Sequence, residues 1–357
     1  MRIQPAIWLL LSTLACNSGF NEPADGASPT IPSLDGDADA DADSDADADA
    51  DADSDADADS DADADADSDA DGDSDPPPDA GSVAEACGTD PRGYGSPSSD
   101  AIEAIERVHC YRNLMGIEAG GLDPELDDAS QSHSDYMDRH DTLTHWQDSS
   151  LTGYTGDWVW DRMETAGYPT EAGQAWSEVV AWGTTPTEAV DLWIGSVYHR
   201  VPFTMPYWLD AGFGQTGDYS AMSFVTPYPD GPRDAVMFPV HGQTEVPIDF
   251  DSDTEYPDPA PEHGTVGYPI TVTVSANTVG SDWVNPYDLE ILDAELIGPD
   301  GAALEIIELD PSNDEHMSTM AAIVPVEPFE SGAEYTATMT ITWDGQEETF
   351  SATFTTR

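Results

Sequence analysis

Trp176-Ser-Glu178-Val-Val-Ala-Trp182, followed at once by Thr185-Pro-Thr-Glu188-Ala-Val-Asp-Leu-Trp193-Ile-Gly-Ser196-Val-Tyr-His199-Arg200, is the stretch on which the fold turns. The first part is short, apolar and aromatic, and reads as a strand. In the second, a threonine, a proline and a glutamate three residues after the threonine form a helix start. Ala189, Val190, Trp193 and Val197 then recur at helical spacing as its inner face. Working outward, Asp100 and Glu103 make a capping-box-like start before Ile102, Ile105 and Val108. Asp123-Pro124 opens a helix with Leu126, Ala129, His133 and Met137 inside. Residues Asp157 to Ala166 make a shorter helix. Tyr207 to Phe213 and Tyr219 to Val225, joined around Thr216-Gly-Asp218, read as a hairpin. Helices and strands in this order predict an α+β sandwich over residues 81–232.

Three polar residues stand among aromatic and aliphatic neighbours: His145 in Leu143-Thr-His-Trp146, Glu178 in the strand, and His199. That is the setting of a buried His–Glu–His cluster. Ser196 and His199, three apart, are expected on one face at a helix end, where the helix dipole and a nearby Glu178 favour the imidazolium. Two neutral imidazoles and a carboxylate can hold a divalent metal such as zinc, with one tetrahedral position left for water. Ser196, His199 and Glu178 are also the residue types of a nucleophile, a base and an orienting acid, although no Gly-x-Ser-x-Gly elbow is present. The plainer reading is a polar network that only fixes the fold. By the same logic His133 is a hydrogen-bonded core residue, and Arg162 and Arg200 are structural ion-pair partners. Trp146, Trp176, Trp182 and Trp193 build core. His109, His140, His241, His263 and His316 have no assigned partner.

The order of motifs resembles a known family. Tyr111-Arg-Asn113-Leu-Met-Gly116, Leu122-Asp-Pro-Glu-Leu126, Ala129 to Met137 and Thr144-His145 are similar to the first half of the CAP superfamily (cysteine-rich secretory proteins, antigen 5 and plant pathogenesis-related proteins), in its bacterial SCP-like branch. Arg162 with Ala166-Gly-Tyr168, Ser177-Glu-Val-Val-Ala181, Pro186 to Trp193, Ser196, His199-Arg200 and Gly212-Phe-Gly214 match the second half. The resemblance implies an α-β-α sandwich with a shared cleft. There His145 and His199 match the two histidines, and Glu178 matches the glutamate of a Gly-Glu-Asn segment. Ser177 and Val179 replace its Gly and Asn, and Ser196 replaces a second glutamate. It also implies extracellular roles and the binding of lipids or sterols.

Residues 233–357 change character. Ile270 to Ser275, Leu289 to Leu296, Ala303 to Leu309, Ala321 to Pro325, Tyr335 to Trp343 and Thr349 to Thr356 read as strands. Tyr335, Ala337, Met339, Ile341 and Trp343 alternate with polar residues, Asp344-Gly345 supplies a turn, and Phe350, Ala352 and Phe354 alternate back. This predicts an all-β sandwich, and the segment resembles bacterial Ig-like domains.

The rest concerns address. Met1-Arg2, an apolar run from Ala6 to Leu14, and Thr13-Leu-Ala-Cys16 resemble a lipoprotein signal. That predicts a signal peptide over 1–15, lipidation of Cys16, export, and a cell-surface position on a bacterial outer membrane. Asp occupies every odd position from 35 to 75, so residues 16–80 are expected to be a disordered acidic tether. Cys87 and Cys110 form an even pair in an exported chain, and a disulfide is expected. Nine arginines and no lysine face 73 acidic residues, a net charge of −64, which argues against nucleic acid and anionic membrane surfaces as partners. The expected state is a monomer held to the membrane through Cys16. The function expected is non-enzymatic binding of a small apolar ligand, an envelope component or a metal. A metal-assisted hydrolase and an adhesin acting through residues 233–357 are the alternatives.

Overall fold

The first four helices start where the chain supplies a cap. In α1 (Ser99–Leu114) the cap is Ser98, whose Oγ accepts from the Ala101 N–H at 3.0 Å. The expected Asp100/Glu103 box does not form, because Glu103 turns outward and accepts from Thr187 Oγ1 at 2.8 Å. Asp123 caps α2 (Pro124–His140) by accepting from Glu125 N and Leu126 N. The Asp161 carboxylate accepts from Trp158 N to start α3 (Val159–Ala166), and Gly167 at φ 99° ends it. Thr185 and Glu188 form the box that opens α4 (Pro186–Gly195). A one-turn 3₁₀ segment, Tyr198–Arg200, then leads into α5 (Val201–Thr204). The computed structural model describes residues 80–88, 96–170, 174–207, 210–227, 234–275 and 289–357. The expected signal peptide, Cys16 and the acidic tether lie outside the described residues.

The first sheet has the order β1-β3-β4-β2. Here β1 is Gly121–Leu122, β2 Gln174–Trp182, β3 Asp210–Thr216 and β4 Tyr219–Pro227. β3 and β4 form the expected hairpin across Gly217-Asp218, β2 pairs antiparallel with β4, and the short β1 runs parallel to β3 on the other edge. Alternation sends Val179, Ala181, Met222, Phe224, Ala211 and Phe213 into one core with Ala104, Ile105 and Val108 of α1 and Trp193 of α4. The opposite face packs on α2 and α3: Val180 and Ala221 meet Met137, and Val225 meets Leu126, Ala129 and Met163. Three layers result, helices on both sides of a mixed sheet, an α+β architecture.

Two glycines of β3 let α2 lie directly on the strand. A Cβ on Gly212 would fall 2.0 Å from the Leu126 carbonyl carbon, and one on Gly214 would fall 2.3 Å from Gln131 Cα. Ser130 and Ser134 donate to the Gly212 and Gly214 carbonyls at 2.9 and 2.7 Å, tying the helix to the strand it covers. Cys87 and Cys110 are joined by a disulfide, fixing the chain before α1 to that helix.

The remaining strands are β5 (Ala235–Phe238), β6 (Phe250–Asp251), β7 (Thr265–Val266), β8 (Ile270–Val274), β9 (Glu290–Ile297), β10 (Ile306–Leu309), β11 (Met320–Pro325), β12 (Glu334–Trp343) and β13 (Gln346–Thr355). They build a sheet of order β10-β11-β8-β5, a sheet of order β13-β12-β9, and a small β6-β7 ribbon. The β12–β13 turn falls at Asp344-Gly345, both at positive φ (50° and 66°), as that dipeptide predicts. Tyr335, Ala337, Met339, Ile341 and Trp343 face inward, as their alternation requires.

Every residue of β8 and of β11 is buried, so both faces of that sheet are covered. One face meets β12. The other receives residues 194–204: Thr204 Oγ1 bonds Thr273 Oγ1 at 2.6 Å, and Val197 and Tyr198 pack with Met320, Ala322 and Val324. Phe238 and Tyr268 join the core that also contains Tyr111 and Trp193. From Ala80 onward the described residues are one compact unit. The change of character near residue 233 is a change of secondary structure inside a shared core. No helix among the described residues is long and apolar enough to cross a membrane.

Candidate functional site

Glu178 projects from β2 toward α2, on the same side as Val180, and its side chain is 2 % exposed. Arg162 of α3, itself fully buried, donates to Oε2 at 2.5 Å, and its other amino group reaches the His145 carbonyl at 3.1 Å. His145 Nδ1 lies 3.0 Å from Oε1, and His133 Nε2 lies 3.6 Å from the same oxygen. One carboxylate is thus ringed by a guanidinium and two imidazoles.

The hydrogen bonds fix His133. Gln147 accepts from Thr155 N with its oxygen, so its amide nitrogen donates to His133 Nδ1 at 2.9 Å. His133 Nε2 therefore carries the proton and donates to the Thr144 carbonyl at 2.7 Å. Burial pushes the His133 pKa down to about 3; Glu178 opposes the shift and Arg162 adds to it. Burial alone would raise Glu178. Arg162, followed by His133 and His145, outweighs burial and holds the carboxyl well below the usual carboxylate range. His145 is oriented through Nδ1–H toward Glu178, and in the neutral ring Nε2 carries a lone pair. That atom is buried and has no hydrogen-bond partner among the described residues.

His199 belongs to a different site. Its Nδ1 bonds Glu255 Oε1 at 2.8 Å, and the same carboxylate accepts from the N–H groups of Val197, Tyr198 and His199 at 2.8, 2.8 and 3.2 Å. Glu255 is only 3 % exposed and comes from the chain between β6 and β7. Nothing in Asp251-Ser-Asp-Thr-Glu255-Tyr256 singles this glutamate out in sequence; what buries it is the packing of residues 194–204 on the four-stranded sheet. His199 Nε2, like that of His145, is buried without a hydrogen-bond partner among the described residues.

Other expectations are corrected by the same geometry. α4 ends at Gly195, with Ser196 in extended conformation (ψ 179°), so Ser196 and His199 do not share a helix face. The Ser196 hydroxyl donates to the Trp193 carbonyl at 2.8 Å. Arg200 has carbonyl and aromatic partners in place of a carboxylate: it donates to Ile194 O and Pro269 O, and stacks over Phe238 and Tyr268. Arg162 forms its ion pair as expected, with Glu178. Trp193 is core, whereas Trp146 is 45 % exposed, on the loop that also exposes Leu151 and Tyr154. Among the unassigned histidines, His140 Nε2 meets the Thr152 carbonyl, and His241 accepts from Thr353 N.

The arrangement suits binding and orientation better than proton transfer. Glu178, held ionised by a buried guanidinium, is a weak base. The zinc set His145–Glu178–His199 does not fit, because Glu178 uses both oxygens on protein donors and His199 is turned to Glu255. Among the described residues no group of three His, Cys, Asp or Glu side chains converges to hold a metal ion.

Comparison with known proteins gives limited likeness. No protein-family profile and no curated protein matches the sequence. Among solved structures, the chain is similar to an extracellular protein containing an SCP domain from Bacillus anthracis str. Ames, with TM-score 0.29 and 14 % identity over 37 % of this chain and 45 % of that one. It is also similar to a DUF4785 family protein from Legionella pneumophila subsp. pneumophila str. Philadelphia 1, with TM-score 0.19 and 11 % identity over 40 % of this chain and 32 % of that one. The chain thus spans less than half the length of either.

Proposed function

We propose that the protein is an exported lipoprotein, anchored through Cys16, whose folded part is a monomeric, non-enzymatic binding module of the CAP type with an Ig-like sandwich fused to it. The observation that carries the binding reading is His145: one ring nitrogen is locked on Glu178, and the other is buried, without a partner among the described residues, and one residue from the exposed Trp146. A buried unpaired acceptor costs about 1–3 kcal/mol, which a ligand donating a hydrogen bond there recovers. An amphipathic ligand, apolar against Trp146 and Leu151 with a hydroxyl or amide toward His145, matches these surroundings. The tether of alternating Asp holds the module off the membrane, where its own charge keeps anionic lipid away.

The serine form of the hydrolase alternative needs Ser196, His199 and Glu178 to act together, and each is bonded elsewhere; the metal-assisted form needs His145, Glu178 and His199 around one ion, and His199 is bonded to Glu255 instead. Two assays test the proposal. Hydrolysis of chromogenic ester and peptide substrates is expected to stay at the buffer rate; turnover abolished by Ser196→Ala or Glu178→Gln overturns the non-enzymatic reading. Labelled palmitate is expected to enter the wild-type chain and not Cys16→Ser; equal labelling of both removes the anchor.

A further inference from the structure

Exposed apolar side chains are concentrated in one short loop. Of the five large apolar or aromatic side chains that stand exposed among the described residues, Trp146, Leu151 and Tyr154 fall within nine consecutive residues. Gln147 N donates to Asp157 O at 3.1 Å and closes residues 147–157 into an Ω-like loop, with Trp146 and Trp158 flanking the closing bond. The loop is tied to both helices beside it: Asp148 N donates to Tyr136 Oη, His140 Nε2 to Thr152 O, and Arg162 Nη1 to Asp157 O. Inside the loop, Gln147 Oε1 accepts from Thr155 N at 2.8 Å. A loop held in this way keeps its aromatic faces in water, so a ligand that covers them meets little cost of ordering.

Charge, hydrogen-bonding sense and exposure select the ligand. Residues 143–161 carry Asp148, Asp157 and Asp161 and no arginine, which disfavours a phosphate or a carboxylate. The buried polar atom in the residue next to Trp146 is an acceptor: His145 is 5 % exposed, and its Nε2 has no hydrogen-bond partner among the described residues. A ligand here therefore brings donors and no negative charge. Trp146, Leu151 and Tyr154 stand out on a loop, a surface on which a ring can stack rather than an enclosure for an alkyl chain.

We infer that the ligand of this loop is a neutral, β-linked oligosaccharide of gluco configuration, an inference that rests on the binding function proposed above for His145. In such a sugar every ring substituent is equatorial, so both faces of the ring present axial C–H groups. One face stacks on the Trp146 indole, and a hydroxyl at the ring edge donates to His145 Nε2.

The probes are cellohexaose and hexaglucuronate of the same linkage, which differ by a carboxylate on every ring. Binding to the full chain is measured by calorimetry. Cellohexaose is expected to bind with a Kd below about 1 mM and at least about tenfold more tightly than hexaglucuronate. Trp146→Ala and His145→Ala, each folded by circular dichroism, are expected to lose about tenfold or more. Leu292→Ala, which removes an exposed apolar side chain on β9, is expected to bind as wild type. No cellohexaose binding up to about 10 mM, or equal affinity for the two probes, overturns the saccharide assignment. The binding function of His145 survives that result if phosphatidylcholine vesicles bind wild type and not His145→Ala. Cellohexaose bound equally by wild type and folded His145→Ala overturns the assignment and the proposed function together.

Discussion

Replacing Arg162 with Met tests the electrostatic core of the site, and its cost follows from the geometry. The substitution removes the guanidinium 2.5 Å from Glu178 and leaves a carboxylate with a 2 % exposed side chain. That group either stays charged without its partner, at about 3–5 kcal/mol, or takes up a proton. Protonation limits the loss: relative to the ordinary value of 4.5, neutralising the carboxyl costs about 3.4 kcal/mol at pH 7 and about 0.7 at pH 5, at 1.36 kcal/mol per unit. Lost hydrogen bonds to the carbonyls of His145 and Asp157 add about 1–2 kcal/mol at either pH. In the wild type the depressed pKa of Glu178 gives stability that is present above 4.5 and lost as pH falls through the folded value. In the variant the raised pKa reverses the sign, so the penalty grows with pH. Urea unfolding followed by tryptophan fluorescence is expected to give a loss about 2–3 kcal/mol larger at pH 7 than at pH 5. The double variant Arg162→Met/Glu178→Gln is expected to show no such pH dependence. A loss of under about 1 kcal/mol, or the same loss at both pH values, refutes the reasoning.

Three further outcomes are expected. Glu255→Ala strips four donors of their acceptor and should cost about 3 kcal/mol or more, lowering one shared unfolding transition; two separate transitions would contradict a joint core. Gly212→Ala drives a Cβ into the backbone of α2 and should cost about 3 kcal/mol, so a variant within experimental error of wild type would displace α2 from β3. His133, folded at about 3 against about 6.5 unfolded, contributes stability that is complete above the unfolded value and lost as pH falls toward the folded one. His133→Gln should therefore remove a slope of about 1.4 kcal/mol per pH unit between pH 6 and pH 4, as read by unfolding curves across that range, and an unchanged slope would mean His133 titrates normally.

Local signals carried much of the architecture. The Asp123 and Thr185 caps, the Asp344-Gly345 turn and the alternation of β12 each report an interaction made within a few residues, and each recurs in the structure. Asp100/Glu103 misled because Ser98 offered a competing cap and Glu103 found Thr187. The site was half legible. His145 and Glu178 come together because a loop and a strand flank the same face of the sheet, whereas His199 was assigned to them on helical spacing that Ser196 interrupts. Glu255 could not be read from sequence, since it lies 56 residues from His199 and its burial depends on two layers packing. The same long-range packing is why the β-rich half, which looked like an independent module, shares its core with the helices.

Native mass spectrometry of the full chain recovered from its own membranes is the most direct test of the binding account. Wild type is expected to carry a non-covalent adduct that is absent from His145→Ala, a variant that keeps the Arg162–Glu178 pair and folds by circular dichroism. A wild type without an adduct, or an adduct retained by folded His145→Ala, would contradict the claim that the unpaired nitrogen of His145 is where this protein meets its ligand.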